Sequence, residues 1–224
     1  MSLFRVTENT DIQGPHQSIQ VQQGGVDVSE ADAVMVMIHG RGATAAGILQ
    51  LANALSTTKK LHLRAPQAAN NTWYPYSFMA PSDNNEPNLS SALQKIYSIV
   101  RNLKNEGFEE KDIFLLGFSQ GACLASEFIA RHPQKYGGLI ALSGGLVGVG
   151  DKVNAEDYNG DLQGTPVFMG CSDTDPHIPK ERVDVSEQIF EKINASVIKK
   201  LYPGMGHLVN EDEIKHIDQL LNNA

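Results

Sequence analysis

The stretch that most limits what this chain can fold into is Asp112 to Glu127, DIFLLGFSQGACLASE. Ile113 to Leu116 is an apolar run of strand length; Gly117-Phe118-Ser119-Gln120-Gly121 follows, then an Ala/Cys/Leu/Ala segment suited to a helix. Strand, sharp turn and helix with a serine at the apex is an arrangement that lifts a nucleophile off a sheet. It needs small residues two before and two after the serine, because a side chain at either place would strike the adjoining strand or helix. Gly117 and Gly121 fill those places. A helix starting at Gln120 aims its unpaired amide hydrogens and positive dipole end at whatever Ser119 attacks, which suits a developing oxyanion. Ser119 is therefore the candidate nucleophile. Five residues alone also suit an ordinary turn with a capping serine, so the rest of the chain has to decide.

Upstream, Ser18 to Val21 reads as a strand, and Ala33 to Ile38 as a buried one that runs into His39-Gly40-Arg41-Gly42. Ile48, Leu51, Ala52 and Leu55 predict a helix from about Thr44 to Ser56, and Leu61 to Ala65 a short strand. Pro66 to Asn88 breaks the rhythm: 23 residues with Trp73, Tyr74, Tyr76, Phe78 and Met79, long enough for a functional loop and too aromatic for disorder. Leu89, Ala92, Leu93, Ile96, Val100 and Leu103 then make one apolar helix face that stops near Gly107, with Pro87 in the first turn.

Downstream of the serine segment come a strand over 138–143, an aperiodic Gly-rich and acidic connection over 144–164, and a buried strand from Val167 to Cys171. That strand delivers Ser172-Asp173-Thr174-Asp175-Pro176-His177. A helix over 180–194, a strand over 196–202, the turn Pro203-Gly204-Met205-Gly206-His207 and a last helix with Ile214, Ile217, Leu220 and Leu221 close the chain. Strands separated by amphipathic helices predict an α/β fold, a mostly parallel sheet covered on both faces, with its site at the carboxyl ends of the strands. The 224 residues predict one domain over 1–224, without room for a large lid domain.

Composition narrows the partners. Lysine plus arginine is 18 and aspartate plus glutamate 26, a net charge of −8 with no basic run, which argues against nucleic acid or an anionic membrane. The first fifteen residues hold no apolar stretch of signal-peptide length, and nothing approaches the roughly 20 apolar residues of a membrane span. A cytoplasmic protein is expected. Cys123 and Cys171 fall in a helix and a strand without CxxC spacing, so buried free thiols are expected rather than a disulfide or metal site.

A serine hydroxyl needs a base, and the base needs a carboxylate to fix its tautomer. Of the seven histidines, His207 sits in a tight Gly-flanked loop free to reach across the strand ends; His177, the rival base, ranks second because it lies too near Asp175 in sequence to be oriented by it from across the site. For the acid, Asp175 precedes Pro176, whose ring keeps it extended; Asp173 suits a turn cap. The amide of Gln120 and one from the loop after Ile38 supply an oxyanion hole, with Gly40 and Gly42 letting that backbone approach and Arg41 contributing through its main chain, its side chain being read as solvated. His39 reads as a residue that packs and hydrogen-bonds its loop. The aromatic cluster at Trp73, Tyr74, Phe78 and Met79 reads either as the wall of a substrate pocket or as satellite core.

These four segments, His39 to Gly42, Gly117 to Ala122, Asp173 to Pro179 and Gly204 to His207, resemble the α/β-hydrolase family of small carboxylesterases, lysophospholipases and acyl-protein thioesterases, over nearly the whole chain. The resemblance implies a catalytic Ser119, Asp175 and His207, an oxyanion hole from the Arg41 and Gln120 amides, and no metal or cofactor. Eukaryotic thioesterase members typically carry Leu-Gly-Asp after the His-Gly, where this chain has Arg41-Gly42-Ala43; that form and the Trp-Tyr-Pro loop look more like bacterial members. The expectation is a serine carboxylesterase for short to medium acyl esters acting through an acyl-enzyme. Lysophospholipase or thioesterase action on longer chains is the second enzymatic reading, and a receptor that has kept the fold the non-enzymatic one. Family members often self-associate, so a homodimer belongs to the expectations, although no apolar stripe marks an interface.

Overall fold

The computed structural model describes residues 12, 14–150 and 152–223. The start of the chain, read above as lacking a signal peptide, lies largely outside them. Among the described residues seven strands form one sheet: β1 (Val21–Gly25), β2 (Ala33–Ile38), β3 (Leu61–Pro66), β4 (Ile113–Phe118), β5 (Gly138–Leu142), β6 (Pro166–Ser172) and β7 (Ser196–Tyr202). Their order is β1-β3-β2-β4-β5-β6-β7; β1 runs antiparallel to β3 and every other pairing is parallel. The mostly parallel sheet expected from the strand and helix alternation is present, in the form that the family resemblance implied.

Apolar runs in the central strands follow from burial on both faces. In β2, Val34, Val36 and Ile38 pack into one core while Ala33, Met35 and Met37 pack into the other, because successive side chains point to opposite faces. The first core is closed by α2 (Asn88–Asn105), α3 (Gln120–Arg131) and α4 (Lys180–Lys192), the second by α1 (Ala45–Leu49) and α5 (Glu211–Asn223). Each Val, Ile or Leu so buried contributes about 1.5–3 kcal/mol relative to exposure. Both cysteines are free and buried. Among the described residues no helix is long and apolar enough to cross a membrane.

Some boundaries differ from the sequence reading. Residues 18–20 are not strand; β1 begins at Val21 and continues through Gln22, Gln23 and Gly24, an edge strand with little apolar patterning. The Lys95 ammonium holds the carbonyls of Gln17 and Ile19, which keeps this segment off the sheet. The helix expected over 44–56 keeps α-geometry only to Leu49 and tightens to a 3-10 turn over Gln50–Ala54. Thr44 caps it, its hydroxyl accepting from the Gly47 amide. Pro87 stands just before α2 rather than within its first turn.

Candidate active site

Ser119 stands between β4 and α3 with φ 56° and ψ −121°, a left-handed conformation that costs a non-glycine residue roughly 1–3 kcal/mol. Neighbouring chain enforces it. A β-carbon on Gly117 would come 2.3 Å from the Gly121 carbonyl oxygen, and one on Gly121 would come 2.1 Å from the Ile38 oxygen. The Ser119 amide donates to Leu142 on β5 at 2.9 Å, fixing the turn to the sheet.

Asp175 and His207 meet across the ends of β6 and β7. Nδ1 of His207 lies 2.8 Å from Oδ2 of Asp175, and since a carboxylate only accepts, Nδ1 carries a proton, the tautomer that turns Nε2 of a neutral ring into the acceptor. The other carboxylate oxygen accepts the amides of His177 at 2.8 Å and Ile178 at 3.1 Å. Burial would raise the Asp175 pKa, but the bonds from His207 and these amides win and hold it below the usual aspartate value. The Asp175 side chain is fully covered while that of His207 keeps 19% of its surface open. The Phe118 ring supports His207 at 4.9 Å between centroids, and the His177 ring stands edge-on to it, also at 4.9 Å.

Two residues next to Asp175 hold the histidine loop. Asp173 accepts the Gly204 amide at 2.8 Å, so it caps the distant histidine loop rather than its own turn, and the Ser172 hydroxyl accepts the Gly206 amide at 3.1 Å. Ser172 was not singled out from the sequence; a hydroxyl at a strand end beside a Gly-rich loop was the available signal.

The loop after β2 closes the site from the other side. His39 is fully buried, its Nδ1–H donating to the Gly40 carbonyl at 2.7 Å and its Nε2 accepting the Ala68 amide at 3.1 Å. Gly40 packs so near that an added β-carbon would lie 3.3 Å from the Ser119 β-carbon. As the first residue of α3, Gln120 has an amide with no acceptor inside the helix. Its buried side chain accepts the Trp73 amide at 2.9 Å and donates to the Tyr74 carbonyl at 2.8 Å, a role the sequence did not disclose. Arg41 is exposed, yet its guanidinium donates to the Pro75 and Tyr76 carbonyls at 2.8 and 2.7 Å, so the side chain read as solvated is engaged with the following loop.

A cavity of about 440 Å³ opens here, lined among others by Arg41, Tyr74, Tyr76, Phe78, Ser119, Gln120, Cys123, His177, Ile178 and His207. Tyr74 and Phe78 of the aromatic cluster are on its wall. Trp73 and Met79 are not: Trp73 is fully buried, its indole N–H donating to the His39 carbonyl at 2.8 Å and its ring packed between His16 and His39, and Met79 packs against the core. Behind Phe78, the amides of Gly148 and Gly150 donate to the carbonyls of Phe78 and Met79 at 3.1 and 3.0 Å. That 144–150 segment is in turn gripped by Arg182, which donates to the carbonyls of Leu146, Gly148 and Gly150, and by Glu127, which accepts the Val147 amide at 3.0 Å.

The pattern that defines the phospholipase/carboxylesterase family matches residues 20–224, most of the chain. The chain belongs to the phospholipase/carboxylesterase family. It is thus a hydrolase of ester or thioester bonds. A phospholipase/carboxylesterase of Dyadobacter fermentans superposes with a TM-score of 0.88 at 42% identity, covering 94% of this chain and 99% of that one. Acyl-protein thioesterase 1 of Kluyveromyces lactis is 30% identical across 87% of this chain and 92% of its own length. The Bacillus cereus carboxylesterase shares the fold, with a TM-score of 0.75 at 16% identity over 92% of this chain and 95% of that one.

Proposed function

We propose that this family member is a serine carboxylesterase that cleaves short to medium acyl esters through an acyl-enzyme. The observation that carries the reading is the Asp175 to His207 hydrogen bond opening on the same cavity as the strained Ser119 turn. In this mechanism Nε2 of His207 takes the Ser119 proton as Oγ attacks the ester carbonyl, and Asp175 stabilises the imidazolium. The Arg41 and Gln120 amides receive the oxyanion. His207 then protonates the departing alcohol; a water, deprotonated by the same nitrogen, releases the acid and restores Ser119. No cofactor enters the sequence of steps. The cavity volume lies within the range of about 300–1,000 Å³ common for small-molecule sites, which supports a modest acyl or alcohol group.

The test is hydrolysis of nitrophenyl esters from acetate to palmitate by wild type and Ser119→Ala. The reading expects turnover of short esters that vanishes in the variant, and labelling of Ser119 by an organophosphate. Absence of both would remove it. The similarity to an acyl-protein thioesterase supports a second reading, action on longer acyl thioesters or lysolipids; activity that rises with chain length would favour it.

A further inference from the structure

Two residues assigned to the oxyanion hole reach with their side chains to the same four-residue stretch, Trp73 to Tyr76, whose last three residues line the cavity. Gln120 holds the Trp73 amide and the Tyr74 carbonyl, and Arg41 holds the next two carbonyls, Pro75 and Tyr76. A guanidinium offers its donors in a rigid planar fork, so two carbonyls held at once fix the orientation of the loop more tightly than the rotatable donors of an ammonium would. The Arg41 guanidinium carbon also lies 6.0 Å from the Tyr74 ring centroid, and the neighbouring Gly42 amide donates to Asn71 at 2.7 Å. The loop after β2 and the substrate wall are therefore one tied unit.

We infer that Arg41 is a positioning residue: its side chain straps Pro75 and Tyr76 of the wall to the His39–Gly42 loop and so holds the Arg41 amide where the oxyanion forms. The inference deepens the esterase reading and rests on it. An oxyanion donor works because it is already in place when charge develops. Loosening the strap removes that preorganisation, which weakens the transition state more than the bound substrate. A strap that only shapes the wall would instead change substrate binding and leave the chemical step alone.

The experiment compares wild type, Arg41→Lys and Arg41→Met on nitrophenyl acetate and butyrate, with the affinity of a trifluoromethyl ketone as a readout of oxyanion binding and thermal melting as a check of folding. The inference expects kcat to fall about tenfold in Arg41→Met and by about a third of that in Arg41→Lys, KM to stay within about twofold, and ketone affinity to fall in step with kcat/KM. Unchanged kcat and ketone affinity, or a raised KM with kcat intact, would overturn it. Should Arg41→Met fail to fold, Arg41→Lys decides alone, and wild-type kcat and ketone affinity in that variant overturn the inference. Wild type that cleaves no ester removes the esterase reading and this inference with it; wild type active and Ser119→Ala dead, with both Arg41 variants unimpaired, removes only the inference.

Discussion

The carboxylate of Asp175 divides its two oxygens between two tasks: Oδ2 takes the His207 ring at 2.8 Å, and Oδ1 takes the amides of His177 and Ile178. The amides fix the carboxyl group in place, which leaves the other oxygen with a defined direction for the imidazole. Asp175→Asn keeps the shape but can present a donor to Nδ1 and so stabilise the wrong tautomer. We expect kcat to fall by about 10⁴-fold with little change in melting temperature. Asp173→Ala, which frees only the Gly204 amide, should cost about tenfold or less. Steady-state kinetics of the pair checks the assignment; equal losses would contradict it.

Gly121→Ala should damage folding rather than chemistry alone. The added methyl would sit 2.1 Å from the Ile38 carbonyl and 2.7 Å from that of His39, both backbone atoms with little freedom to retreat. A loss of about 3 kcal/mol or more is expected from urea unfolding, together with loss of turnover.

Replacing Gln120 by leucine keeps its backbone amide while leaving the Trp73 amide and Tyr74 carbonyl without their partner. Each orphaned buried group costs about 1–3 kcal/mol, so the fold should be weakened measurably in denaturant. The preference among acyl chain lengths should broaden as the wall loosens; an unaltered chain-length profile would show that Gln120 does not hold the wall.

Glu213 gives the protein a pH-dependent weakness. Its Oε2 accepts the Asn210 amide in a reciprocal cap at the start of α5, but Oε1 is buried with no hydrogen-bond partner among the described residues. Burial, with a smaller contribution from Asp212, pushes its pKa from 4.5 up to about 7. The folded state therefore binds this proton more tightly than the unfolded chain, and its stabilising contribution is lost as pH rises from about 4.5 through 7. Glu213→Gln should match wild type near pH 4.5 and exceed it in stability at pH 8, as measured by urea unfolding at the two values.

The parts of the fold legible in the sequence were those written in periodicity and turn chemistry: the central strands, α2 with its six apolar positions, and the glycine-flanked serine. β1 was misplaced because an edge strand of Val-Gln-Gln-Gly-Gly buries little and carries no alternation. At the site, the approach of Asp175 to His207 followed from strand-end logic and the family resemblance. The grips of Gln120 and Arg41 did not, because both join a side chain to backbone groups tens of residues away, and backbone groups leave no trace in residue identity. Trp73 and Phe78 belong to one aromatic cluster in sequence; only the fold separates the one that supports the His39 loop from the one that faces the cavity.

The cavity wall hangs from behind on the 144–150 segment, which Arg182 of α4 and Glu127 of α3 hold by its backbone. On the esterase reading proposed above, substrate range can therefore drift through helix positions that line no part of the cavity. A directed-evolution library aimed at new acyl groups should include Glu127 and Arg182 alongside the cavity-lining residues, and variants there would register as changed selectivity with the reacting groups left in place.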